Sequence, residues 1–129
     1  MDDAVIVGGK ALHPDMKAML DARATAGPAT TIDEQRAAWT RYSQALSKPH
    51  PADMAVDDRV LTLDHGGVNV RVYRPANAAA TAPVVVYSHG GGFMKGDLDS
   101  SDNFAWGLAQ ETAAVVGSVD YRLAPAHPF

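Results

Sequence analysis

The stretch that most constrains this chain is Val84-Val85-Val86-Tyr87-Ser88 running directly into His89-Gly90-Gly91-Gly92-Phe93. The valines and Tyr87 show no polar face, the pattern of a strand covered on both sides. The three adjacent glycines that follow leave a length of backbone with no side chains in the way. Their N–H groups can approach a ligand oxygen, which suits a developing oxyanion or a phosphate. A second marked string, Asp120-Tyr121-Arg122-Leu123-Ala124-Pro125-Ala126-His127-Pro128-Phe129, follows another interior strand pattern over Ala114 to Val119.

Upstream, the hydrophobic period identifies helices first and strands second. His13-Pro14-Asp15 opens a helix through about Arg23, with Met16, Met19 and Leu20 as an i, i+3, i+4 stripe. Ala26-Gly27-Pro28 ends it. Thr31-Ile32-Asp33-Glu34 is a capping box that starts a second helix running to Leu46, with Ile32, Trp39, Tyr42 and Leu46 at near-helical spacing. Pro49-His50-Pro51 is a stop and a linker. Beyond it, Arg59 to Asp64 predicts a short strand, His65-Gly66-Gly67 a turn, and Val68 to Tyr73 a strand with Val68, Val70 and Val72 on one face. A helix from Ser101 or Asp102 through about Glu111 links the two interior strands, burying Phe104 or Ala105, Leu108 and Trp106.

Composition narrows the function classes. The 47% hydrophobic and 20% charged content are those of a folded chain. A net charge of -4 with scattered basic residues disfavours nucleic acid as a partner. The absence of cysteine removes disulfides, thiolate zinc sites and a cysteine nucleophile from this segment. Met1-Asp2-Asp3 is acidic, and Val5 to Gly9 is too short for a signal-peptide core, so a soluble cytoplasmic protein is the default expectation. No apolar run is long enough to span a bilayer. Only one crossover fits between residues 89 and 114, and the chain stops abruptly at Phe129. An N-terminal piece of a larger protein is therefore expected, against the alternative of a small complete α/β protein.

Competing chemistry for the glycines fails on spacing. A nucleotide P-loop needs Gly-x-x-x-x-Gly-Lys-Ser/Thr, whereas Gly92-Phe93-Met94-Lys95-Gly96-Asp97 puts Lys95 before the glycine and an acid where a hydroxyl belongs. The dinucleotide fingerprint also lacks a helix directly behind it. Asp97, Asp99 and Asp102 have no metal-ligand spacing with His89, so no metal and no cofactor are expected. Asp99 and Asp102 could be paired general acids, although Ser100, Ser101 and Asp102 also suit a helix N-terminus. Asp120 and Arg122 can form a partly buried polar network. Ser118 lies within an interior strand pattern, Ser88 points away from its neighbour His89, and His127 has no orienting acid. No Gly-x-Ser-x-Gly elbow and no Ser-His-Asp set occur in these 129 residues.

Taken together, the His89-to-Phe93 and Asp120-to-Pro125 strings resemble the hormone-sensitive-lipase-like family of α/β-hydrolase esterases. The likeness is strong over residues 83–129 and weak before residue 55. Position 126 departs from it, with alanine where glutamate is common. The resemblance implies an α/β fold: an antiparallel hairpin leading into a mainly parallel sheet, preceded by cap-like helices. Residues 1–55 would form the helical cap region and residues 56–129 the N-terminal half of the hydrolase domain. It implies a serine acyl-enzyme carboxylic ester hydrolase, with Gly91 and Gly92 as oxyanion donors and His89 and Gly90 supporting the loop. Losing one such donor typically costs roughly 3 kcal/mol in the transition state. Phe93 and Met94 would meet the substrate, and Phe93 serves equally well to pack the loop against the cap. The implied partners are a small-molecule ester and a C-terminal remainder of the same protein carrying the Ser-Asp/Glu-His triad; a homo-oligomer is left open. Two helices acting as plain scaffold compete with the cap, and a non-catalytic ligand-binding protein on the same scaffold competes with the esterase.

Overall fold

The computed structural model describes residues 5–128. The acidic start at Met1-Asp2-Asp3 and the terminal Phe129 lie outside the described residues. A two-residue Gly8-Gly9 turn, with φ of 56° and 77°, joins β1 (Ile6–Val7) to β2 (Lys10–Ala11). This small hairpin was not expected, although Gly-Gly between short apolar runs is a type I′ turn signal. Two helices follow, α1 (Pro14–Ala26) and α2 (Ile32–Ala45).

The second helix starts as its capping box dictates. The Thr31 hydroxyl accepts from the Glu34 N–H at 3.2 Å, and Glu34 Oε2 accepts from the Thr31 N–H at 2.9 Å and the Thr30 hydroxyl at 2.7 Å. The first helix departs from expectation. It runs one turn beyond Arg23, it buries Ala22 and Ala26, and its Met16, Met19 and Leu20 stripe is exposed. The end of α1 is tied to α2 by Arg41, whose Nε and Nη2 donate to the Ala26 carbonyl at 3.2 and 2.6 Å.

Four strands build the main sheet: β3 (Met54–Leu63), β4 (Gly66–Pro75), β5 (Val84–Ser88) and β6 (Val115–Asp120), in spatial order β3-β4-β6-β5. Pairing is antiparallel for β3 with β4 and β4 with β6, and parallel for β5 with β6. An antiparallel hairpin thus leads into a mixed sheet with a parallel pair. The hairpin differs from its sequence reading in two respects. Its turn is Asp64-His65 and both glycines pair within the ladder, Leu63 opposite Gly66. The first strand begins at Met54 because the ladder continues to Met54 opposite Pro75, across residues with no alternation of their own.

One face of this sheet carries the core. Helix α3 (Asp102–Thr112) presents Ala105 and Ala109, both fully buried, to Tyr73 and Val116, with Met54 closing the cluster. Small side chains at i and i+4 bring the helix backbone close to the sheet. Phe104 is 67% exposed and stacks on Tyr87 at 5.5 Å, while Trp106 and Leu108 are partly buried against the core.

Cross-strand register places Leu61, Val68, Val70, Val119, Val84 and Val86 on the opposite face. There Val84 and Val86 are 70% and 73% exposed, so among the described residues β5 is covered on one face only, contrary to its all-apolar pattern. Among the described residues no helix is long and apolar enough to cross a membrane.

The capping box has a pH signature. Hydrogen bonds from the Thr31 backbone and from Thr30 lower the Glu34 pKa from 4.5 to about 2. A depressed carboxylate contributes stability above its unfolded value and loses it as pH falls through the folded one. The first turn of α2 should therefore lose amide-exchange protection as pH drops from about 4.5 to about 2. Glu34→Gln should abolish that dependence, and an ordinary NMR titration of Glu34 would contradict the assignment.

Candidate functional site

The parallel pairing of β5 with β6 brings both sequence strings to one edge of the sheet. Ser88 lies opposite Val119, so each chain leaves its strand at the same level, the first into the glycine loop and the second into Asp120-Tyr121. His89 is 4% exposed and its ring stacks on Tyr121, with centroids 4.3 Å apart and planes at 19°. The Tyr121 hydroxyl donates to the His89 carbonyl at 2.7 Å. His89 Nδ1 lies 3.0 Å from the Gly90 carbonyl, an acceptor, so Nδ1 is the donor in that contact. Its Nε2 is buried with no hydrogen-bond partner among the described residues.

Beyond His89 the backbone turns back on itself. The Gly91 carbonyl accepts from the N–H groups of Met94 at 3.3 Å and Lys95 at 3.2 Å. Positive φ falls on Gly91 (139°), Gly92 (63°), Phe93 (59°) and Gly96 (107°), and Gly90 is not among them. The demand for glycine is strongest at Gly91 and Gly96. A Cβ on Gly91 would overlap the Lys95 carbonyl oxygen, and one on Gly96 would run into the His89 ring and sit 2.7 Å from the Gly90 carbonyl. A Cβ on Gly90 or Gly92 would meet nothing within 4 Å. No hydrogen bond among the described residues uses the Gly91 or Gly92 N–H. Phe93 is 77% exposed, its ring centre 6.5 Å from that of Tyr121, so it does not pack the loop against the helices. Met94 is 43% exposed on the same loop.

The remaining sequence candidates go elsewhere. Asp102 and Asp99 serve neither as helix caps through side-chain bonds nor as a free carboxylate pair. The N-cap Ser101 makes no side-chain cap bond, and its hydroxyl reaches the Asp97 carbonyl at 3.0 Å. Asp102 accepts from the Tyr73 hydroxyl at 2.7 Å and Arg71 at 3.2 Å, and meets His50 Nε2 at 2.6 Å. Arg71 also donates to Asp58 at 2.7 and 3.0 Å and to Asp99 at 2.8 Å. The hydrogen bonds to Arg71 hold Asp58 below its usual range, while burial, reinforced by Asp102, pushes the Tyr73 phenol well above its own.

The predicted Asp120–Arg122 network is not formed. Arg122 is exposed, and Asp120 instead accepts from Asn69 Nδ2 at 3.4 Å. Ser118 is fully buried in the central strand and His127 is exposed. Among the described residues no group of three or more His, Asp or Glu side chains is arranged to hold a metal ion.

Sequence reasoning missed how α2 touches this loop. Arg36 Nε donates to the Met94 carbonyl at 2.8 Å and Arg36 Nη2 to the Ala124 carbonyl at 2.9 Å. The Thr40 hydroxyl lies 3.1 Å from Asp97 Oδ2, and Lys95 Nζ sits 5.3 Å from the Trp39 ring centre. Residues 36, 39 and 40 share one helix face. No local pattern announces these contacts, since the Arg36 acceptors are 58 and 88 residues away.

With this geometry in hand, known proteins supply the class. An α/β-hydrolase-fold family model matches residues 85–129. The chain is 33% identical to the carboxylic ester hydrolase LipN of Mycobacterium tuberculosis over 129 residues, covering 97% of this chain and 34% of that protein. It is 36% identical to an ethyl acetate hydrolase of Pseudomonas putida, covering 92% of this chain and 41% of that one. A solved hyperthermophilic esterase from Pyrobaculum calidifontis superposes with a TM-score of 0.77 at 34% identity, over 92% of this chain and 39% of the esterase. The chain has an α/β-hydrolase esterase fold and is related to carboxylesterases. It spans between about a third and two-fifths of the length of these relatives.

The loop geometry separates its glycines experimentally. Gly91→Ala should destabilise the protein by about 1–3 kcal/mol through forced positive φ and backbone overlap. Gly90→Ala should stay within about 0.5 kcal/mol of the parent. Thermal or denaturant unfolding of the two variants provides the comparison, and equal stabilities would contradict the described loop.

Proposed function

We propose that the protein is a carboxylic ester hydrolase of the hormone-sensitive-lipase-like type, working through a serine acyl-enzyme. The observation that carries this is the pair of N–H groups at Gly91 and Gly92 that no hydrogen bond among the described residues uses, on a loop braced at the carboxyl ends of two parallel strands. In this mechanism a serine hydroxyl attacks the ester carbonyl as a histidine takes its proton, and the carbonyl oxygen becomes an anion in the tetrahedral intermediate. Preorganised N–H donors at about 2.7–3.1 Å from that oxygen stabilise the transition state more than the ground state. Collapse expels the alcohol with the proton returned by histidine, and water releases the acid by the same steps in reverse order. Gly91 and Gly92 are assigned as donors, His89 and Gly90 as loop support, and Phe93 and Met94 as substrate contacts. The exposure of Phe93 and Met94 beside the donors favours that role.

The serine, its histidine and the acid are assigned to further polypeptide of the same protein beyond residue 129. Two features support a continuation of the sheet: among the described residues β5 has an unpaired edge, and its Val84 and Val86 face is bare. Residues 56–129 are then the N-terminal half of the hydrolase domain and residues 1–55 its cap. A small-molecule ester, with a short acyl group as in the Pseudomonas relative's named substrate, is the proposed substrate.

Two experiments decide these assignments. The full-length protein should hydrolyse a short-chain aryl ester, and Gly91→Ala should lower kcat by about 10²-fold or more through displaced donors. Unchanged kcat in a folded Gly91→Ala variant would remove the loop from the chemistry, and tight ester binding without turnover would favour the ligand-binding alternative. Deleting residues 1–48 should shift acyl preference while the sheet stays folded. Global unfolding would make α1 and α2 scaffold, and unaltered folding and kinetics would leave them neither cap nor scaffold.

A further inference from the structure

From the N-terminal helices, the Arg36 side chain reaches both sequence strings at once. Its guanidinium closes a ring of contacts. Nε–H donates to the Met94 carbonyl, Nη2–H donates to the Ala124 carbonyl, and the Ala124 N–H donates to the Phe93 carbonyl at 2.9 Å. Phe93 and Met94 are adjacent, so the limb returning from Gly92 is tied to the turn after β6 twice, once directly and once through Arg36. Phe93, whose carbonyl takes the direct tie, has φ 59°, a backbone state that a non-glycine residue keeps only where its surroundings over-determine it.

We propose that Arg36 is a positioning residue for the glycine loop, fixing the direction of the Gly91 and Gly92 N–H groups from the N-terminal helices. This rests on the ester-hydrolase function proposed above. The planar fork suits two carbonyls that diverge from one another, stays charged at every working pH, and cannot be replaced by lysine, whose ammonium is a single point donor on a flexible stem. An ion pair with Asp33 does not account for the placement, because that contact is 3.7 Å to a carboxylate that is 90% exposed. Thr40 at Asp97 and Trp39 beneath Lys95 extend the same helix face along the loop, so Arg36 is aimed by its neighbours as well as by its acceptors.

Arg36→Gln, Arg36→Lys and Arg36→Ala in the full-length protein test this, with amide exchange and ester kinetics as independent readouts. Hydrogen–deuterium exchange should rise in both 89–97 and 121–127 in each variant, whether or not the protein turns over an ester. Unchanged exchange in either segment would overturn the clamp. With an aryl ester, kcat should fall by about tenfold or more in each variant, since small displacements of catalytic groups carry penalties up to 10²-fold. KM should change by less than about twofold, because the lost interaction acts in the transition state. Added guanidinium should restore part of kcat in Arg36→Ala and none in Gly91→Ala, a response that simple destabilisation would not give. Normal kcat in a folded Arg36→Lys variant would sink the positioning role while leaving the esterase assignment intact. If the wild-type protein hydrolyses no ester, the functional assignment fails, and the exchange experiment alone still decides whether Arg36 holds the loop.

Discussion

The parallel ladder between β5 and β6 is the constraint on which the site depends. Parallel neighbours require a crossover, here α3, and they end at the same edge of the sheet. That geometry is why a loop at residue 89 and a turn at residue 121 can touch. Had the two strands been antiparallel, the His89 and Tyr121 rings could not stack, and the Tyr121 hydroxyl could not reach the His89 carbonyl. The edge shared by two parallel carboxyl ends is also where α/β sheets bind ligands.

Around that ladder the structure divides its forces. Apolar packing is concentrated between α3 and the sheet, where Ala105, Ala109, Tyr73 and Val116 are fully buried. The attachment of the N-terminal helices is mostly polar. Arg36 and Thr40 hold the loop, Asn103 Nδ2 donates to the Leu46 carbonyl at 2.8 Å, and Asn103 Oδ1 accepts from the Lys48 N–H at 2.9 Å. None of the residues of α2 is fully buried. A helix docked by directional bonds positions what it touches more closely than one docked by apolar area, because each bond weakens steeply with angle.

The Arg71 cluster follows the same logic on the other side of α3. One guanidinium meets Asp58, Asp99 and Asp102, and Tyr73 delivers its hydroxyl to Asp102 from within the core. A buried phenol needs a partner, and the first residue of a helix is a favourable place for the carboxylate that provides one. The cluster therefore anchors the α3 N-terminus to β4 and β3, which in turn sets where the segment from Gly96 to Ser101 must end.

Local signals were enough for the elements that local physics controls. The capping box of α2, the strand into the glycines, the central strand through Val116 and the crossover helix could all be read from residue spacing, and so could the order of the two strings. Their resemblance to esterases followed from that order, and the fold bears it out at the level of the α/β-hydrolase class. Exposure and partner choice were not legible. The apolar stripe of α1 lies open while Ala22 and Ala26 are the residues that it buries, and β5 is bare on one face among the described residues because coverage depends on what packs there and not on its own composition. Asp102 was readable as a cap or an acid until Tyr73 and Arg71 of β4 and His50 of the linker converged on it. Gly91 and Gly96 were separable from Gly90 only once the backbone return brought Lys95 and His89 against them. Spacing along a chain determines periodicity and turn chemistry; which distant carbonyl an arginine will meet is decided when the strands are paired and the loops have closed.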